Sequence, residues 1–328
     1  MTTPDPANIP THPQPAIWRR PLVRLAALAA LLLVCFSGPL YELVGFSWHS
    51  DFFSYIPLVP FITGYLIWIR RDKLDTAFRP AWLAAAAAAA AGGALLGAYV
   101  WVDHQGWVPL EEDFLAFMTT SFLLLLLGAG FACLGTKAMK AIAFPVALLI
   151  FMVPYPKPLL DRIEMFFQQT SAVAASGMLH IAGASASRHG LAITLPDVQP
   201  TADHPDHGIT LEIAPECSGI HSSQVLLITS LLAGSLFLRS PWRRTVLALV
   251  VIPLAILRNG FRIFTLSELC VHISRKMIDS PIHHHGGPIF FALSLIPFFL
   301  FLVWLRKSEC KSDSLSNLRA NPAQLPPS

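Results

Sequence analysis

Eight apolar runs, at about 22–46, 55–69, 81–102, 114–134, 141–153, 220–238, 245–257 and 288–305, limit what this chain can become more than any other feature. A helix needs ~20 apolar residues to cross a bilayer, so the shorter runs reach that length only by extending into flanking polar residues or by thinning the membrane. A soluble domain built on buried helices fails on composition. Hydrophobic residues make up 54% of the 328 and charged residues only 13%, which is too little polar surface for a water-facing fold of this size. The sequence therefore predicts an all-α polytopic membrane protein of about eight transmembrane helices. The alanine run at 84–91 reads as helix, and Gly92 and Gly93 after it permit close helix contact.

Basic residues mark alternate loops. Arg19, Arg20 and Arg24 precede the first run or open it; Arg70, Arg71 and Lys73 follow the second, Lys137 and Lys140 the fourth, Arg239, Arg243 and Arg244 the sixth, and Arg306, Lys307 and Lys311 the last. The positive-inside rule then puts both termini in the cytoplasm of a cell bounded by this inner membrane, and the segments 154–219 and 258–287 on the periplasmic or outer side. Residues 1–20, rich in proline and without apolar periodicity, form a disordered tail; 21–306 form the eight-span domain; 307–328 form a polar cytoplasmic tail. The first run is too long for a cleaved signal and reads as a retained span. Residues 159–184 mix charge with apolar residues at near-helical spacing, the pattern of an interfacial helix on the outer face. A crossing there would invert everything after it and conflict with the charges at 239–244 and 306–311. The alternating stretch 188–195 is a small extended segment, and 197–216 an acidic outer loop. The net charge of +3 is scattered among loop clusters, so membrane lipid is an expected partner and nucleic acid is not.

Reactive chemistry concentrates at 212–223, where the acidic loop runs into an apolar helix. Pro215 suits the residues just before a helix, which would begin at or beside Cys217. Helix N–H groups and the dipole favour a thiolate there; Glu216 opposes it. Gly219 would leave the sulfur approachable, and Ser218 could donate to a developing oxyanion. A free cysteine is more commonly a small packed apolar residue, the role read for Cys35 and Cys133, so position alone leaves both readings of Cys217 open. The seventh run ends near Arg258 and Arg262, which share a helix face four residues apart. One of them could be an interfacial anchor. A guanidinium beside Cys217 would depress the thiol pKa, stabilise an oxyanion or hold a carboxylate. His283, His284 and His285 precede the last run and offer a base, with His221 as a rival on the cysteine's own helix. Metal is the lesser reading of the three histidines, since adjacent imidazoles do not readily face one ion, and no cofactor is expected. A transporter with a polar Cys/Arg/His-lined cavity is the competing function, but no repeat halves and no mid-span acidic residues support it.

The Glu216-Cys217-Ser218-Gly219 stretch, Asn259-x-x-Arg262 and His283-x-x-x-Gly287, in this order on such a scaffold, resemble the exosortase/archaeosortase family over about 50–305. The resemblance implies a membrane cysteine endopeptidase or transpeptidase acting on exported proteins. Their C-terminal sorting signals consist of a short motif, a transmembrane helix and a basic tail. A lipid or polysaccharide is an implied acceptor. It further implies Cys217 as nucleophile, Arg262 as catalytic arginine, His283 as histidine and Arg258 as an accessory residue. The polar C-terminal tail lacks a sorting signal, so the chain reads as the processing enzyme, not a substrate.

Overall fold

The computed structural model describes residues 16–50, 52–71, 78–106, 109–195, 209–213, 219–273 and 287–320. The chain forms two compact units, dividing between Lys157 and Pro158.

The first unit holds α1 (Ala16–Cys35), α2 (Ser37–His49), a 3-10 turn (Ile56–Leu58) leading into α3 (Val59–Ile69), α4 (Trp82–His104), α5 (Glu111–Ala141) and α6 (Ala143–Leu148), which tightens into a second 3-10 turn (Leu149–Met152). The first apolar run is a bent pair of helices, turning by 72° between α1 and α2. Pro39 explains the break: it lacks an N–H and its ring collides with a preceding helical turn, so it fits only the first turn of a new helix. Small residues bring α4 and α5 together. A Cβ on Gly92 would lie 3.1 Å from the Ser121 carbonyl oxygen and one on Gly128 3.1 Å from that of Ala85, whereas Gly93 faces open space. Glu111, Glu112 and Asp113 fill the first turn of α5, where the helix dipole favours negative charge.

Near its end α5 folds back at Gly135, whose φ of 76° is left-handed and whose missing side chain admits the Arg79 carbonyl. Beyond it, Met139 returns to Gly130, where a Cβ would sit 2.9 Å from its sulfur. A straight helix would separate these residues by about 13.5 Å.

The second unit contains α7 (Lys157–Ile181), strands β1 (Ser187–His189), β2 (Ala192–Leu195) and β3 (Ile209–Glu212), then α8 (Ile220–Phe237), α9 (Pro241–His272) and α10 (Gly287–Ala320). The strands form one antiparallel sheet in the order β1-β2-β3. The extended segment expected at 188–195 is thus a hairpin, and the expected loop 197–216 contains a third strand. The helix expected within 159–184 is α7. The seventh run continues well past Leu257, because Val251, Ala255, Asn259, Ile263 and Ser267 extend one buried stripe at helical spacing. Residues 307–320, expected as a tail, continue α10 as helix.

Among the described residues, five helices are long and apolar enough to span a membrane: α4, α5, α8, α9 and the Gly287–Glu309 part of α10. The number rises to seven if each of two bent helix pairs, α1 with α2 and Ala143–Met152 with α7, counts as one span; Ile56–Ile69 is a shorter apolar helix. Each of the eight runs corresponds to one of these elements. Large apolar side chains face outward, Leu83 at 87% and Phe61 at 75% exposure, as hydrocarbon contact requires and water contact does not.

Candidate active site at the start of helix α8

A small apolar core fixes the approach to the site. Ile193 and Leu195 alternate onto the buried face of β2 and pack with Leu211 of β3 and Ile213; α7 contributes Ala172, Ala175 and Leu179, and α9 contributes Ile263 and Cys270. At Gly260, α9 approaches α7 so closely that a Cβ would lie 2.8 Å from the Ala174 methyl. Arg258 and Asn259 are therefore held by the backbone level at which α9 meets α7.

Helix α8 begins at Ile220, with Gly219 as its N-cap in the left-handed conformation (φ 66°, ψ 13°). Four donors converge on the Gly219 carbonyl: the Ser223 amide at 3.0 Å, the Ser223 hydroxyl at 2.7 Å, the Ser222 hydroxyl at 3.2 Å and Nη2 of Arg258 at 2.9 Å. The same Nη2 also donates to Ser223 Oγ at 3.2 Å. Asn259 closes the other side, since a Cβ on Gly219 would meet its Cγ and Oδ1 at 3.1 Å and Arg258 Nη2 at 2.9 Å. Only glycine satisfies both the dihedral angle and the space.

Arg258 is 8% exposed. Its Nη1 is buried and has no hydrogen-bond partner among the described residues. The ion pairs of Glu309 with Arg243 and of Glu268 with His272 do not involve it. Arg262 lies one turn further along the same face and is half-buried. The buried Arg258 guanidinium, beside the positive end of α8, makes the described part of the site electropositive.

The structure brings together Gly219, Arg258 and Asn259 of the residues singled out from sequence. Glu216, Cys217, Ser218, His283, His284 and His285 lie outside the described residues. His221 is half-buried in the first turn of α8. Two expectations change. The helix starts at Ile220, not at or beside Cys217, because left-handed Gly219 is its N-cap. Arg262 is not at a helix end, since α9 runs on to His272. Ser223 was missed; a serine four residues after a glycine, on a helix facing an arginine, is the signal that could have flagged it. Among the described residues no group of three or more His, Cys, Asp or Glu is placed to hold a metal.

The basic turn between α8 and α9 is tied down by α10. Glu309 accepts hydrogen bonds from the Arg239 amide at 3.0 Å and the Ser240 amide at 2.7 Å and pairs with Arg243 at 3.6 Å. Arg244 donates twice to the Leu238 carbonyl, at 2.9 and 2.7 Å, capping the end of α8.

Fold and site together define a multi-pass membrane protein with a buried, electropositive cluster at the start of one helix. The profile of the transmembrane exosortase family matches residues 47–311, and the chain belongs to that family. No curated protein and no solved structure matches it.

Proposed function

We propose that the chain is a membrane cysteine endopeptidase or transpeptidase that cleaves C-terminal sorting signals of exported proteins at the outer face of the cytoplasmic membrane. Membership of the transmembrane exosortase family supports this reading. The observation that carries it is the buried Arg258 clamped on the carbonyl of Gly219, which follows Cys217 by two residues. By connectivity alone, two peptide units reach at most about 7.6 Å. That bound is between the Cα atoms of Cys217 and Gly219; positive charge near a thiol favours the thiolate.

In this mechanism His283 takes the Cys217 proton, and the sulfur attacks the scissile carbonyl carbon. A C–S bond forms and the carbonyl electrons move to oxygen, whose negative charge Arg262 stabilises. The intermediate collapses by breaking the C–N bond, and the imidazolium returns its proton to the departing amine. The resulting thioester is resolved by water or by the nucleophile of an acceptor such as a lipid or polysaccharide. Ser218 and Asn259 support this grouping. The substrates carry a motif, a transmembrane helix and a basic tail, and both termini of the enzyme are cytoplasmic.

The test is processing of a tagged substrate in membranes at matched expression. Cys217→Ala should abolish cleavage while leaving insertion intact, and Cys217→Ser should be nearly as inactive, because a hydroxyl is far harder to deprotonate with the same base. Unchanged cleavage by Cys217→Ala would remove the cysteine mechanism.

A further inference from the structure

Strand β3 ends five residues before Cys217, and its edge away from β2 carries no strand among the described residues. What that edge offers follows from the hydrogen-bond parity of the sheet. The Ile213 amide donates to the Leu191 carbonyl at 3.1 Å, and bonded and non-bonded pairs alternate along an antiparallel ladder. Ile193–Leu211 and Leu195–Ile209 are therefore bonded pairs, while Ala192–Glu212 and Thr194–Thr210 are not. The hydroxyls of Thr194 and Thr210 lie 3.3 Å apart, as expected of a non-bonded pair, whose side chains stand closer together.

The N–H and C=O groups of Thr210 and Glu212 consequently point away from β2, and they have no hydrogen-bond partner among the described residues. Both residues are exposed, whereas Leu211 between them is buried in the core with Ile263 of α9. The far edge of the sheet is poorer. Only Arg188 of β1 faces outward there, and the Ala186 amide before it is taken by the Ala184 carbonyl at 2.9 Å. An unpaired strand edge is a template for another extended chain, and β3 is singled out by where it leads. Five residues of chain span at most about 18 Å. A strand beside Glu212, about 4.8 Å away, would therefore lie within about 23 Å of Cys217, the length of some seven extended residues.

We infer that the outer edge of β3 is the docking strand for the exported substrate, which lies along it as a fourth strand through the extended segment ahead of its transmembrane helix. The identity of the occupant rests on the proposed function; the edge supplies the mode of binding. Main-chain bonds at Thr210 and Glu212 give affinity, and alternate side chains of the docked segment give selectivity. Each pairing position needs a substrate N–H, so proline is excluded from those positions and allowed between them.

The experiment is disulfide trapping in membranes, on full-length Cys217→Ala protein so that the complex is scored whether or not Cys217 is the nucleophile. Thr210→Cys or Glu212→Cys is added. The probe is a tagged exported protein ending in a transmembrane helix and a basic tail, with a single cysteine moved residue by residue through the segment ahead of that helix. A bonded antiparallel pair holds its Cα atoms about 5.5 Å apart, within disulfide reach. Trapping should peak at one substrate position with Thr210→Cys and two residues away with Glu212→Cys, and fall at the residue between. With Cys217 intact, Thr210→Pro removes an outward N–H without breaking the ladder to β2. It should raise KM roughly 2- to 13-fold, the effect of one neutral hydrogen bond, with kcat unchanged. Arg188→Pro, on the far edge, should leave KM as it is. Should Thr210→Pro fail to insert, the trapping pattern decides. No trapping of a probe that the intact enzyme cleaves, even trapping at consecutive positions, a disulfide between two copies of the chain in place of one to the probe, or an unchanged KM in Thr210→Pro would overturn the inference. Failure of the cysteine mechanism, seen as cleavage by Cys217→Ala, would leave the alternating pattern in place.

Discussion

Replacing Gly219 with alanine tests the clamp at the start of α8. The methyl group meets two obstacles. An L-residue at φ 66° costs roughly 1–2 kcal/mol, and its Cβ would lie 2.9 Å from Arg258 Nη2. Relief requires the buried guanidinium to withdraw and give up a hydrogen bond to the Gly219 carbonyl or to Ser223. A bond from a charged donor contributes about 1.5–3 kcal/mol. The sum, roughly 2.5–5 kcal/mol, is below the ~5–15 kcal/mol that holds a domain together, so the protein should still insert and fold while the backbone at Gly219 shifts. A displacement of ~1 Å in a catalytic grouping costs about 10²-fold in rate, and cleavage of a tagged substrate by Gly219→Ala membranes should fall by at least that much. Because the damage runs through Arg258, adding Gly219→Ala to Arg258→Met should cost less than the two separate losses combined. Wild-type cleavage by Gly219→Ala, or strict additivity of the pair, would refute the clamp.

Gly260→Ala should destabilise the second unit by about 1–3 kcal/mol through overpacking against Ala174, read as a lower thermal midpoint in detergent. Among alanine variants at His221, His283, His284 and His285, His283→Ala should lose cleavage by ~10²–10⁴-fold and the others less; an inactive His221→Ala beside an active His283→Ala would move the base to α8. Arg262→Lys should fail where a planar two-pronged donor is needed, since lysine offers only a point charge.

The apolar runs were legible because burial in hydrocarbon leaves an unbroken signal in sequence. Where elements end was less so. The span expected at 245–257 stops where polar residues begin, yet Arg258 and Asn259 face a protein interior and the helix runs on to His272. Polarity marks the edge of a bilayer only when the residue faces lipid or water. The α1–α2 bend was readable in Pro39 once a helix was granted on both sides of it. Strand β3 hid in an acidic stretch because its four residues are specified by pairing with β2, a contact the local pattern does not encode. The site divides in the same way. Arg258, Asn259 and Gly219 were legible as chemistry, but the bond from Arg258 to the Gly219 carbonyl joins residues 39 apart in sequence and depends on how α8 packs against α9. Ser223 is one of three serines near the start of an apolar helix until that arginine is placed beside it.

In the proposed mechanism the Cys217 thiol does the cutting. A substrate-like peptide carrying a thiol-selective electrophile at the scissile position, titrated into membranes containing the full-length protein, measures this directly, with peptide mass spectrometry locating the label and a cleavage assay following activity. Label should appear on Cys217, cleavage should fall in proportion to its occupancy, and excess unlabelled substrate should protect the residue. Cleavage that persists after Cys217 is fully modified would contradict that mechanism.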